Sequence, residues 1–274
     1  MAALPEIREA EATGGIAEIY AGLRAAIGIP LVNLIYRHLA TRPGVLPWVW
    51  GAIRGCASAP ALEAGRARMA EAVHAQGLGA RLAAALALDD PGREVRALVE
   101  AYNRGNAMNL LLLTTLRRHL AGEAGGGPVA AVAVPARQGP APAPLPPIPR
   151  LDALPPAVAA EVRALAALHG AEAGGVVPSL YLHLALWPAV LPPLRAALAL
   201  LFADGTVARA RDAACAVAEV TAAELLPALG RPPAPFPEAH RAATLAVLET
   251  FTRQIIPAMV PIGVALHEAL PRAT

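Results

Sequence analysis

Two stretches of this chain, set 145 residues apart, carry nearly the same twelve residues. YRHLATRPGVLP at 36–47 and YLHLALWPAVLP at 181–192 agree at eight positions, among them Tyr36/Tyr181, His38/His183, Pro43/Pro188 and Pro47/Pro192. A shared bias toward alanine and leucine does not readily produce matched tyrosines, histidines and prolines. A weaker echo sets EAYNRGN (100–106) against ETFTRQI (249–255), with Glu100/Glu249 and Arg104/Arg253 in register. The expectation is a two-copy pseudo-repeat, each copy about 120 residues long. A duplicated bundle buries the face its copies share, and the seam between them is a natural place for a pocket.

The pattern on both sides is helical. Apolar residues recur at three and four, alanine (67 residues) and leucine dominate, and no β-branched alternation marks a strand. The fold class is therefore all-α, with six or so helices in each copy. Between them lies GGGPVAAVAVPARQGPAPAPLPPIP (125–149), too rich in proline and glycine for a helix and read as an extended linker. This divides the chain into a first helical repeat (1–124), a linker (125–150) and a second helical repeat (151–274). Asp90-Pro91 reads as an N-cap followed by a first-turn proline ahead of GREVRALVEAYN. Pro30, Pro43, Pro178 and Pro188 mark helix starts or stops.

Composition narrows the classes of function. With 56% hydrophobic and 16% charged residues the chain is biased toward burial, which excludes disorder over most of its length. All 23 basic residues are arginine, so lysine Schiff-base and P-loop chemistry are ruled out. A net charge of +2 without a basic tract gives no reason to expect a nucleic-acid partner. Cys56 and Cys215 read as buried free thiols in a reducing cytosol. The first fifteen residues hold three glutamates and no apolar core, so no signal peptide is expected. The best membrane window, Leu184–Ala203, is broken by Pro188, Pro192, Pro193 and Arg195, and 110–116 is too short. A soluble, cytoplasmic protein without a transmembrane segment is the expectation. The excess apolar content then belongs to a helical core or to an interface between subunits, as in a homodimer.

Catalytic signatures such as GxSxG, HExxH, GxGxxG and CxxC are absent. The five aspartates (Asp89, Asp90, Asp152, Asp204 and Asp212) read as caps or turn residues. Glu100–Arg104 and Glu249–Arg253, each spaced i,i+4, read as helix-stabilising ion pairs inherited by both copies, with an anion clamp as the functional alternative. His38 and His183 read as hydrogen-bonding residues at the seam, although two histidines across a pseudo-twofold could also hold a metal. Asn103, Asn106 and Asn109 cluster around Gly105 ahead of LLLLTTL, which favours a helix break or cap there. Their amides are also able to orient a carboxylate or a water.

Taken in order, IPLVNLIYRHLATRPGVLP, YNRGN before LLLLTTL, the proline-rich connection and HGAEAGGVVPSLYLHLALWPAVL resemble the group I 2-haloacid dehalogenases, which act on D- and L-2-haloalkanoic acids. The resemblance covers nearly the whole chain. It implies an all-helical fold of two pseudo-repeats with the active site between them, and a small organic acid as the substrate. It implies hydrolysis in which an aspartate activates water to displace halide at C2 directly, with no metal and no organic cofactor. It places the family's asparagine on Asn106 and its serine on Ser179, both kept. Two aromatic pocket positions fall on Leu31 and Leu34, and Tyr181 follows the aspartate position in the pocket segment. The aspartate itself falls on Leu180, whose counterpart in the first copy is Ile35. Leucine cannot take a proton from water. The expectation is a dehalogenase fold inactive or altered in that reaction, with a non-catalytic small-molecule binder or scaffold as the alternative.

Overall fold

The computed structural model describes residues 4–86, 92–123, 144–170, 176–232 and 234–270. The expected Asp90-Pro91 cap and the greater part of the expected linker lie outside the described residues. Among the described residues there are twelve α-helices and no strand. Six precede the linker: α1 (Gly14–Ile27), α2 (Leu34–Leu39), α3 (Val45–Ile53), α4 (Pro60–His74), α5 (Leu78–Leu86) and α6 (Gly92–Leu120). Six follow it: α7 (Pro156–Ala167), α8 (Ser179–Leu184), α9 (Leu191–Ala203), α10 (Thr206–Leu225), α11 (Arg241–Thr250) and α12 (Ile256–Ala269).

The 29-residue α6 forms the axis of the molecule and is buried along most of its C-terminal half. It packs against α12, α10 and α4, while α4 lies on α10 and α5 on α12. Helices from before and after the linker thus interleave around one continuous apolar core. The asparagine cluster does not break α6, contrary to the sequence expectation. Asn109 turns its amide back to the Gly105 carbonyl at 2.6 Å, a bond that leaves the helix intact. Gly105 is needed for space: a Cβ there would stand 2.7 Å from Cδ1 of Ile29.

Proline explains the local breaks. Pro43 separates α2 from α3, Pro178 caps α8, and Pro188 opens a 3-10 turn before α9. The Leu184–Ala203 window is accordingly divided among these short elements. Pro257 has no N–H for the carbonyl of Arg253, and the preceding turn widens into a π-helical turn, Phe251–Ile255. Across that turn Glu238–Ala269 is one helical run long and apolar enough to cross a membrane, with mean hydropathy 1.2, which the sequence reading did not expect. More than half of its best window is buried inside the protein, where α12 packs on α6 and α5.

Several pairings differ from expectation. Arg253 does pair with Glu249 at 2.5 Å, but Arg104 turns to Glu63 and to the Ile27 carbonyl, and Glu100 pairs with His267 at 2.9 Å. The cause is local: Arg104 is largely covered by α1 and α4, and both offer acceptors. Asp212 lies within α10 rather than at its start, and Cys215 is only half-buried, whereas Cys56 is fully buried. Asp204 does act as a turn residue, accepting from the Thr206 amide at 2.9 Å.

Helices α2 and α8 are each six residues long and begin 145 residues apart. Tyr36 and Tyr181 are both completely buried in them. His38 Nδ1 donates to the Pro5 carbonyl and His183 Nε2 to the Pro146 carbonyl, each at 2.7 Å. Each histidine therefore meets a backbone carbonyl of the extended segment that precedes its own helices.

Candidate functional site

Where α2, α6, α8 and the π-helical turn converge, they enclose a cavity of about 50 Å³. Five of the residues singled out from the sequence line it: Leu31, Leu34, Asn106, Ser179 and Leu180. Tyr181 does not. On α8 it is turned about 100° from Leu180, and its hydroxyl lies 2.9 Å from Nε2 of His169.

The lining mixes polar and apolar groups. Asn33, Arg37, Tyr102, Asn106 and Ser179 supply polar atoms, and Leu180, Phe251, Ile256 and Met259 are among its apolar residues. The polar part is under-satisfied. Asn106 is 7% exposed and lines the cavity. The side-chain Oδ1 of Asn33 and Nε of Arg37 are buried without partners. Buried polar groups are seldom left in this state, so the cavity is equipped to receive a hydrogen-bonding guest.

Tyr102 reaches past the cavity to His183, its hydroxyl 3.3 Å from Nδ1 with the rings edge to face. Burial lowers the His183 pKa, opposed by its bond to the Pro146 carbonyl, and raises that of Tyr102. Both groups are neutral near pH 7. Among the described residues no carboxylate and no histidine lines the cavity itself, and Leu180 is 1% exposed within its wall.

A second, wider cavity of about 540 Å³ adjoins the first. The two share Leu34, Arg37, Ile148, Val176, Val177 and Ser179. Arg8, Arg150 and Arg163 line the outer space together with Glu6, Glu11 and Asp152. Arg37, only 4% exposed, stands at the junction and contacts Glu6 through Nη1 at 2.8 Å.

Arg37, Asn33 and Tyr102 were not singled out by sequence reasoning. The signal the sequence offered lies in its 145- and 149-residue offsets: Asn33 stands against Pro178 and Arg37 against Leu182 at 145, and Tyr102 stands against Phe251 and Asn106 against Ile255 at 149.

No protein-family model matches the chain. Sixty residues, 22% of the chain, are 33% identical to an (R)-2-haloacid dehalogenase of Pseudomonas putida, and the match spans 20% of that enzyme's length. Solved structures of D-2-haloacid dehalogenase share the fold. A mutant in complex with D-2-CPA superposes with a TM-score of 0.73 at 17% identity, over 98% of this chain and 96% of the other. The enzyme in complex with L-LA superposes with a TM-score of 0.72 at 18% identity, over 97% and 96%.

Proposed function

We propose that this chain is a haloacid-dehalogenase-like protein that holds a small organic acid in the inner cavity and is impaired in the hydrolytic release of halide. The observation that carries the reading is the lining of that cavity. Its lining offers Asn33 and Arg37, each with a buried polar atom that lacks a partner, and no described residue on it is a base. Direct displacement of halide by water needs a group that accepts a proton as the new C–O bond forms. Leu180, at the position the resemblance gives to an aspartate, has none. Tyr102 and His183 make a poor substitute, since burial disfavours the charged form of each.

We read the halves 1–124 and 151–274 as two copies of one unit. The equal length and spacing of α2 and α8, and the parallel histidine bonds to Pro5 and Pro146, support this. On that reading the cavity lies at their seam, with Asn33, Arg37, Tyr102 and Asn106 drawn from the first copy and Ser179, Leu180, Phe251 and Met259 from the second. The free, buried thiol of Cys56 suits a reducing cytosol.

The test is halide release from D- and L-2-chloropropionate, followed with an ion-selective electrode, beside calorimetric binding of the same acids. We expect binding without release above the uncatalysed background. Robust turnover by the unmodified chain would overturn the assignment of Leu180 and require another base.

A further inference from the structure

We propose that Arg37 is the anchor for the ligand's carboxylate and that Glu6 is an internal competitor for it, so the bound acid lies across the junction of the two cavities. The proposal rests on the reading that the inner cavity takes a small organic acid.

Size comes first. A single water needs roughly 10–15 Å³ of such space, so a cavity of about 50 Å³ has room for roughly three to five water-sized groups, fewer than the six heavy atoms of 2-chloropropionate. That accommodates C2, its methyl group and one substituent. The carboxylate is left outside, at the rim shared with the larger space. Arg37 is on that rim, lining both cavities.

Its hydrogen bonding comes second. The guanidinium has five N–H groups, and a planar fork that matches a carboxylate. Nη1 faces Glu6, while Nε is buried with no acceptor at all. A buried arginine with an unmet donor beside a cavity is poorly explained as an internal ion pair. On the repeat reading its counterpart is the uncharged Leu182.

Glu6 comes third. It belongs to the N-terminal segment that is tied across α2: the Ile7 amide donates to the Arg37 carbonyl at 3.0 Å, and Tyr20 donates to the Ile7 carbonyl at 2.8 Å. Arg8 extends the tie to the Ile148 carbonyl at 3.0 Å. The Glu6 carboxylate is thereby held at the arginine, where it offers the same chemical group that an acid ligand would bring. Tying the competitor in place limits binding to acids whose remaining atoms gain enough in the inner cavity.

Calorimetric titration of propionate, 2-chloropropionate and the neutral analogue propionamide tests this. Glu6→Gln is expected to tighten both acids roughly threefold to tenfold while leaving propionamide unchanged. Arg37→Met is expected to weaken the acids more than tenfold, again sparing the amide. Glu6→Gln/Arg37→Met, which leaves neither charge buried alone, guards against misfolding and is expected to retain propionamide binding but not the acids. Acid affinity equal in all variants would overturn the role of Arg37 and leave the inner cavity as the site. Acids that fail to bind the unmodified protein would overturn both this proposal and the functional reading beneath it.

Discussion

Tyr102 donates its hydroxyl proton to Nδ1 of His183, and the direction of that bond is fixed. The carbonyl of Pro146 only accepts, so the imidazole carries its proton on Nε2, 2.7 Å away. Nδ1 is left as an acceptor, with the Tyr102 hydroxyl at 3.3 Å as its partner. One side chain thus connects the central helix α6 with α8 and with the segment ahead of α7. Tyr102→Phe keeps the edge-to-face ring contact and removes only the donor. It is expected to cost about 1 kcal/mol, near the lower end for an unpaired buried acceptor because the bond is long. Urea unfolding of the variant measures this, and an unchanged midpoint would remove the bond from any account of stability.

The crossing of α4 and α10 depends on an absent side chain. A Cβ at Gly65 would collide with the Cγ2 and Oγ1 atoms of Thr221, a residue with no exposed surface. Gly65→Ala is therefore expected to destabilise by about 1–3 kcal/mol through overpacking, against the usual gain from alanine in a helix. Thr221→Ala in the same chain should recover part of the loss. A double-variant cycle by denaturant unfolding gives the coupling, which vanishes if the two helices simply move apart.

The helical class was legible in the sequence because helix periodicity is a local signal, and the family resemblance singled out five residues that line the cavity, Leu31, Leu34, Asn106, Ser179 and Leu180. Leu180 and Asn106 are distant in sequence, yet the family resemblance picked out both, and both line the inner cavity. Arg104 and Glu100 were misread for the opposite reason. Spacing of i,i+4 states that two residues are neighbours on a helix, and says nothing of Glu63 or His267 approaching from elsewhere. Asn109 likewise looked like a helix breaker until its amide was seen to close back on Gly105. Arg37 stood in plain view within a quoted motif. Its significance needed the comparison with Leu182, together with the knowledge that its position is buried.

Acid sensitivity should centre on His169. Its ring lies against Tyr181 and Phe202, and burial pulls its pKa from 6.5 down to about 4. The sign follows from linkage. The unfolded chain takes up a proton near pH 6.5 and the folded chain only near 4, so protons favour unfolding between those values. His169 therefore imposes no penalty above pH 6.5, and stability falls progressively as the pH drops from there toward 4. His38 and His183, also shifted downward by burial, act in the same direction. His169→Gln preserves a partner for the Tyr181 hydroxyl without a titrating group. It is expected to flatten the decline, measured as Tm against pH from 7 to 4. A parallel decline in the variant would assign the acid sensitivity to the other histidines.

Leu180→Asp is the change that would restore a proton acceptor to the cavity. It places a carboxyl where the native side chain is 1% exposed, in a cavity also lined by Phe251 and Met259. Burial disfavours the ionised form, so the pKa of the new group should rise well above the ordinary carboxylate range. Arg37, which also lines the cavity, opposes that rise through its charge. Two consequences can be measured together. Stability should fall by about 2–4 kcal/mol, the cost of an inadequately paired polar group in the core. Halide release from 2-chloropropionate should appear at a trace level and increase with pH, because only the deprotonated carboxylate can take the proton from water. Leu180→Asn carries a similar polar burden without the base and should release none. Equal release by the asparagine and aspartate variants would show that hydration of the cavity, rather than a general base at position 180, is responsible.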